Sequence, residues 1–203
     1  MDIINVKKMY LLGASGHGKV IAEIAESNGV SIEGFIDADT NKLSLLGYPV
    51  FHQIPSEIVE VVIAIGNNKI RQKLVNNNTN FKYYSLIHPN ANVSKRVLLE
   101  EGTVVMAGAT VNVDANIGKH CIINTNASVD HDCVIGDFVH ISPNAALAGN
   151  VSIGEGTHIG IGAIIIQGIT IGSWCTIGAG AVIIRDIQDG FTVVGNPGRI
   201  INK

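Results

Sequence analysis

The clearest pattern in the chain is an aliphatic residue at every sixth position from Ile87 to Ile183. Four residues after each of these comes a small or β-branched residue, such as Ala91, Thr103 or Ala115. A helix repeats near 3.6 residues and a strand near 2, so neither sustains a period of six. The pattern therefore predicts a β-solenoid in which every short side sends one large and one small side chain inward. Three sides make one coil of 18 residues, and the series contains about five and a half coils.

The region before the solenoid has a different pattern. Apolar runs at Lys8–Leu12, Ile32–Ile36 and Val59–Ile65 predict buried parallel strands. Helical spacing follows the first run and ends at Asn28-Gly29, and a second helix is predicted over Asn67–Asn76. The resulting order, β-α-β…β-α-β, is half of a doubly wound α/β fold. Since this is too short for a full dinucleotide-binding sheet, a mononucleotide-sized ligand fits better than NAD.

Composition agrees with this division and narrows the possible partners. Hydrophobic residues make up 46% of the 203 residues and charged residues 15%, an excess that a continuous aliphatic interior explains. The net charge of −3 gives no reason to expect nucleic acid or anionic membrane partners. No apolar run is long enough to span a bilayer and no signal-peptide core is seen, so we expect a cytoplasmic protein. All three cysteines fall on small inward positions and are expected to be reduced core residues.

The loop Gly13–Gly18 joins the first predicted strand to the first helix. Its glycines let the backbone approach a ligand, and the following helix presents free N–H groups to a phosphate. Asp37 ends the second strand, where a carboxylate can hold a ribose or base edge, and Gly66-Asn67 follows the third strand. From spacing alone, a structural turn remains an alternative for both the loop and Asp37.

In the solenoid, His131 lies at an outward corner between Asp130 and Asp132, and the equivalent position one coil later is Gly149. A corner histidine with a carboxylate neighbour and open space above it suits a general base beside a bound ligand. The pattern alone leaves an ordinary surface histidine as the alternative.

Further histidines and aliphatic residues stand at outward positions. His140 and His158 are one full coil apart and are predicted to stack on one face. A zinc site of the kind found in solenoid carbonic anhydrases is not expected, because no two solenoid histidines show the H-x4-H spacing. Outward aliphatic residues on a flat solenoid face indicate a protein partner, most economically a second copy of the chain; these residues are Leu98, Val134, Ile164 and Val182.

The six-residue repeats resemble those of the left-handed β-helix acyltransferases, in which an aliphatic residue is often followed by glycine. With the loop Gly13–Gly18, the segment Ile63–Asn68 and the run Asn124–Gly149, nearly the whole chain resembles a narrower family. These are the bacterial nucleotide-sugar acetyltransferases of the PglD type, with sialic acid O-acetyltransferases as close relatives. The matching repeats are Ile117-Gly118, Ile135-Gly136, Ile153-Gly154, Ile171-Gly172 and Ile177-Gly178.

The resemblance implies two domains: a Rossmann-like nucleotide-sugar-binding α/β domain over 1–86, and an all-β left-handed parallel β-helix over 87–203 with a C-terminal cap. It also implies a homotrimer with active sites between protomers. The family's catalytic histidine falls on His131 and its acidic neighbour on Asp132, where the typical member has glutamate. Contacts to acetyl-CoA fall on His140, Gly149, Ile161 and Ala179, the last of which replaces a glycine. Contacts to the nucleotide sugar fall on Ser15, Gly16, His17, Asp37, Gly66 and Asn67.

The activity implied by the resemblance is direct acetyl transfer from acetyl-CoA to the 4-amino group of a nucleotide-activated amino-dideoxy sugar, without a metal. An O-acetyltransferase acting on sialic acid or a capsular sugar is the nearer alternative. A non-catalytic nucleotide-sugar-binding protein is the more distant one. The sequence does not identify the nucleobase, so acceptors linked to UDP, GDP or dTDP are all possible.

Overall fold

The computed structural model describes residues 8–54 and 60–201. The start of the predicted third strand, Val59, lies outside the described residues. Within the described ranges, no helix is both long and apolar enough to cross a lipid bilayer.

The N-terminal part is an α/β unit built on a six-stranded sheet of order β3-β4-β2-β1-β5-β6. All neighbouring strands are parallel except β3 and β4, which form an antiparallel hairpin. The predicted strand–helix order is confirmed, and the hairpin is an addition that the apolar runs did not indicate. The elements are β1 Lys8–Leu12, α1 Gly16–Ser27, β2 Ser31–Ile36, β3 Ser44–Leu45, β4 Tyr48–Phe51, β5 Glu60–Ile63, α2 Asn68–Asn77 and β6 Lys82–Tyr83.

The remaining chain forms the predicted solenoid, in which every straight side is a two-residue strand separated from the next by a four-residue turn. The strands are β7 Leu86–Ile87, β8 Asn92–Val93, β9 Leu98–Leu99, β10 Val104–Val105, β11 Thr110–Val111, β12 Asn116–Ile117, β13 Ile122–Ile123, β14 Ser128–Val129, β15 Val134–Ile135, β16 His140–Ile141, β17 Ala146–Leu147, β18 Ser152–Ile153, β19 His158–Ile159, β20 Ile164–Ile165, β21 Thr170–Ile171, β22 Thr176–Ile177 and β23 Val182–Ile183.

These strands stack into three parallel sheets in which each residue pairs with its equivalent one coil later, as the pairing of Ile123 with Ile141 illustrates. We name them face 1 (β7, β10, β13, β16, β19, β22), face 2 (β8, β11, β14, β17, β20, β23) and face 3 (β9, β12, β15, β18, β21). The large inward residues are buried along most of the solenoid, and Ile141 is fully so. Ile87 is 38% exposed because face 1 ends at its strand and no coil covers it from below.

The solenoid ends in a small cap. Strand β24, Thr192–Val194, pairs with β22, and β25, Arg199–Ile201, folds back antiparallel on it. As predicted, the cysteines are free and buried in the core. Their thiols donate to the carbonyl oxygens of Gly136, Ala148 and Gln188.

The α/β unit packs against face 1. Val104 and Ile122 are each 1% exposed because they join the apolar cluster formed by α1 and the first sheet. The outward aliphatic residues divide between the other two faces. Leu98 and Val134 lie on face 3 at 67% and 49% exposure, whereas Ile164 and Val182 lie on face 2. Both faces that the α/β unit leaves uncovered therefore carry exposed aliphatic side chains.

Candidate active site

A histidine–carboxylate pair stands at the corner between faces 2 and 3. His131 Nδ1 lies 2.7 Å from Asp132 Oδ2, and both side chains are more than half exposed. The neighbouring Asp130 accepts the His131 backbone N–H at 2.8 Å. Since an ionised carboxylate can only accept, the pair fixes the proton on Nδ1 and leaves the lone pair of Nε2 free. The hydrogen bond to Asp132 and the charge of Asp130 raise the pKa of His131.

Gly149 covers this imidazole from the next coil, as the coil register predicts. A Cβ at Gly149 would lie 2.5 Å from Cε1 and 2.6 Å from Nε2 of His131, so the close approach requires glycine. The coils are held together at this corner by a 2.9 Å hydrogen bond from the Asn150 N–H to the His131 carbonyl. The Gly149 N–H has no acceptor among the described residues. The corner thus combines a base and a free backbone donor on successive coils.

A second group of polar residues lines a cleft of about 470 Å³ between the α/β unit and face 1. His140 and His158 stack here with ring centroids 4.8 Å apart, as predicted. Their Nε2 atoms lie 3.0 Å from the Asn124 amide and 2.8 Å from the Ser142 hydroxyl, respectively. Burial, followed by the nearby charges, lowers the pKa of His140 to about 3, and burial also lowers that of His158. Both rings are therefore neutral at pH 7. The cleft residues are Gly66, Asn67, Asn68, Lys69, His140, Gly156, His158, Trp174, Cys175 and Thr176.

The glycine loop of the α/β unit reaches the same region. The His17 ring centroid lies 6.5 Å from that of His140, and burial lowers the pKa of His17 to about 4. Ser15 caps α1 without a side-chain hydrogen bond, so its hydroxyl is available to a ligand. Asp37 braces the loop, because its Oδ2 accepts the Ala14 N–H at 2.8 Å and the Lys42 ammonium at 3.0 Å.

The structure thus separates the predicted site residues into three places within one chain. His131, Asp132 and Gly149 share the corner between faces 2 and 3. His140 lies in the cleft, together with Gly66 and Asn67 and close to His17. Ile161 and Ala179 are exposed at the corner between faces 1 and 2, where the Gly180 N–H bonds to the Ile161 carbonyl one coil below.

Asn68, which follows Gly66-Asn67 at the predicted ligand-binding edge of the sheet, donates to the Gly156 carbonyl at 3.0 Å and so joins α2 to the solenoid. Two other cleft residues were not found from the sequence. Trp174 and Lys69 line the cleft from opposite units. The sole tryptophan of the chain could have drawn attention, but no local pattern connects it with Lys69. Residues 8–54 and 60–201 contain no group of three or more His, Cys, Asp or Glu side chains arranged to hold a metal ion.

A solenoid of hexapeptide repeats with an exposed histidine–carboxylate corner defines an acyltransferase of the hexapeptide class. Residues 8–78 match the PglD N-terminal domain, and residues 114–149 and 150–185 match the bacterial transferase hexapeptide repeats. The acetyltransferase domain of PglB from Neisseria gonorrhoeae is 44% identical, with 96% of this chain and 100% of that chain covered and a TM-score of 0.91. The chain belongs to the PglD-type family of nucleotide-sugar acetyltransferases, as its resemblance indicated.

Two further relatives are a structure solved with bound ligands and an enzyme identified by its activity. PerB from Caulobacter crescentus, solved with CoA and GDP-perosamine, is 39% identical, covers 97% of this chain and 98% of its own, and has a TM-score of 0.92. The UDP-N-acetylbacillosamine N-acetyltransferase of Bacillus subtilis is 41% identical over 113 residues, which are 50% of this chain and 52% of that enzyme. The chain thus aligns with about half the length of this curated relative. The PglB domain has also been solved in complex with acetyl coenzyme A.

Proposed function

We propose that this protein transfers the acetyl group of acetyl-CoA to the 4-amino group of a nucleotide-activated amino-dideoxy sugar. The observation that carries the proposal is the corner at which His131 contacts Asp132 at 2.7 Å beneath Gly149. The relatives support the two substrates, because PerB binds CoA with a nucleotide-linked amino sugar and the PglB domain binds acetyl-CoA.

In the proposed reaction, the sugar amine attacks the thioester carbonyl carbon directly. The C–N bond forms, His131 Nε2 takes a proton from the attacking nitrogen, and the imidazolium that results is stabilised by Asp132. The C–S bond then breaks, and the departing CoA sulfur receives the proton from the imidazolium. The products are the acetamido sugar nucleotide and CoA.

The free N–H of Gly149 suits the oxyanion that develops on the thioester oxygen. A fixed backbone donor costs no reorganisation when the charge appears. Direct transfer is also supported by the cysteines, since burial raises the pKa of Cys121 to about 12 and that of Cys133 above its usual range. These thiols are protonated and enclosed in the core, so they make poor nucleophiles.

We assign the nucleotide sugar to the edge of the α/β unit, through Ser15, Gly16, His17, Asp37, Gly66 and Asn67. We assign acetyl-CoA to His140, Gly149, Ile161 and Ala179. These assignments are supported by the open Ser15 hydroxyl, by the cleft beside Gly66 and by the exposure of Ile161. The neutral imidazoles of the cleft can donate and accept hydrogen bonds without adding charge.

We also propose a homotrimer with its active sites between protomers, working in the cytoplasm where acetyl-CoA is available. Within one chain, His131 and Ile161 occupy different corners of the solenoid. A neighbouring copy packed on the exposed aliphatic faces brings such corners together. Leu98 and Val134 supply part of the apolar surface that a stable contact needs.

The test is a screen of 4-amino sugars linked to UDP, GDP and dTDP, with release of the CoA thiol as the readout. We expect one acceptor to consume acetyl-CoA and to gain an acetyl amide by mass spectrometry. An ester product would instead indicate the O-acetyltransferase. No thiol release with any acceptor would indicate a non-catalytic binding protein.

The assignment of the base is tested by His131→Ala, which should lower kcat by about 10²–10⁴-fold. His88→Ala is the matched control, because the side chain of this solenoid histidine accepts the nearby Asn90 N–H and makes no other hydrogen bond to the described residues. Turnover within threefold of the unmodified protein in His131→Ala would refute the role of His131.

A further inference from the structure

A buried arginine joins the two units beside the cleft. Arg71 on α2 is 1% exposed, and five hydrogen bonds surround its guanidinium. No carboxylate among the described residues lies within ion-pair distance of it, so the charge is held by neutral oxygens alone. The acceptors are the carbonyls of His120 at 2.7 Å, Ile65 at 3.0 Å, Gly66 at 3.2 Å and Phe138 at 2.8 Å, and the Asn68 side-chain oxygen at 3.0 Å.

The five bonds connect the loop after β5 with two stacked corners of the solenoid. His120 and Phe138 occupy equivalent positions on successive coils, so the bonds to their carbonyls fix the position of Arg71 along the solenoid axis. The bonds to Ile65 and Gly66 tie the same guanidinium to the carboxyl edge of the α/β sheet. The planar guanidinium has five N–H donors and can bond the loop and the solenoid at the same time, whereas a lysine ammonium cannot do so in this geometry.

The bonds also decide how the loop presents its amides. In a trans peptide, the carbonyl oxygen and the next N–H point in opposite directions. Because the Ile65 and Gly66 carbonyls point to Arg71, the N–H groups of Gly66 and Asn67 point away from it. Neither N–H finds an acceptor among the described residues, and both residues line the cleft.

We propose that Arg71 is a positioning residue of the nucleotide-sugar site. By holding the Ile65 and Gly66 carbonyls, it keeps the N–H groups of Gly66 and Asn67 turned toward the diphosphate of the substrate. This inference rests on the proposed function and deepens it, since it names the chemical group that the loop receives.

The electrostatics of the surroundings agree with an anionic ligand. After burial, the charge of Arg71 is a further cause that lowers the pKa of His17, His140 and His158. The rings around the cleft therefore stay neutral while the guanidinium stays charged. A buried cation whose partners are all neutral leaves a positive potential that favours a phosphate nearby.

The test compares Arg71→Met and Arg71→Lys with Gln72→Ala. Gln72 lies on the same helix and bonds to Glu155 of the solenoid, so the control weakens the same docking contact without touching the loop. We expect each Arg71 variant to raise the dissociation constant for the nucleoside diphosphate about tenfold and to change kcat less than threefold. We expect Gln72→Ala to stay within twofold in both quantities. If Arg71→Met does not fold, Arg71→Lys is compared with Gln72→Ala instead. Lysine retains the positive charge but cannot hold all five acceptors.

A measurement on the unmodified protein is independent of folding in the variants. Titration with UDP, GDP and dTDP should move the amide resonances of Gly66 and Asn67 at the concentrations that saturate binding. Unmoved resonances, or an Arg71→Lys variant with the unmodified dissociation constant, would overturn the positioning role while leaving the proposed acetyl transfer intact. If none of the three nucleotides binds, both proposals fall together.

Discussion

The fit between Gly149 and the His131 ring can be tested by adding a single methyl group. In Gly149→Ala, the new Cβ would start 2.5 Å from His131 Cε1, whereas an ordinary contact begins at 3.4 Å. Relief of the overlap therefore requires the ring to move by about 0.9 Å. The backbone at Gly149 is not left-handed, so alanine is acceptable there apart from this contact.

A displacement of this size separates the imidazole from Asp132 and from the acceptor amine. Misplacement of a catalytic group by about 1 Å costs on the order of 10²-fold, or about 2.7 kcal/mol of activation free energy. We therefore expect kcat of Gly149→Ala to fall about 10²-fold in the CoA-release assay. The control is the double variant His131→Ala/Gly149→Ala, in which the added methyl has no ring to displace. It should react as slowly as His131→Ala alone, because the two effects are not additive.

Two outcomes would refute this reasoning. A single variant with unmodified kcat would show that the contact does not constrain the base. A double variant that is a further 10²-fold slower than His131→Ala would show that the methyl acts without the ring, for example by covering the Gly149 N–H.

Three further predictions concern pH, assembly and stability. Because the Asp132 carboxylate stabilises the imidazolium and raises the pKa of His131, Asp132→Asn should shift the acid limb of the kcat/KM profile to lower pH; an unmoved limb would contradict the pairing. Val134→Asp, at a side chain 49% exposed on face 3, should dissociate the proposed trimer in sedimentation experiments, whereas an assembly of unmodified stability would exclude face 3 from the contact. Burial lowers the pKa of His120 from 6.5 to about 4, so folding loses stability as the pH falls from about 6.5 toward 4, where the unfolded chain binds the proton first. His120→Phe should reduce this loss, and an equal drop in Tm between pH 7 and pH 5 for both proteins would refute it.

The solenoid could be predicted almost residue by residue, because its register repeats locally with every coil. The same register places Gly149 over His131 and His158 over His140 from the sequence alone. The hairpin of β3 and β4 lacks such a signal. Its strands are short, with β3 at the sheet edge and β4 between β3 and β2, and β4 contains Pro49, a residue more typical of an edge strand or a loop than of an inner strand.

The cleft could not be predicted because it depends on how the α/β unit docks on face 1. Helix α2 illustrates the difficulty, since its buried residues are Asn68 and Arg71 whereas Ile70 is half exposed. Hydrophobic periodicity predicts the opposite, with Ile70 buried and with Asn68 and Arg71 exposed. Two of the five acceptors that allow a guanidinium to be buried there are carbonyls of the solenoid corners, which are remote in sequence.

The stacking of identical turns also limits where the chain can tolerate a change in length. The bonds from α2 to the solenoid reach from His120 to Thr157, and the corner with the proposed base occupies the coils of His131 and Gly149. A whole coil inserted just after Ile183 would lengthen the solenoid beyond the bonds to α2 and beyond the corner of His131 and Gly149. The spacing within and between these two features would not change. The same insertion between His131 and Gly149 would put a different residue over the imidazole. It would also move the later acceptors of α2, such as the Thr157 carbonyl, one coil away from the helix.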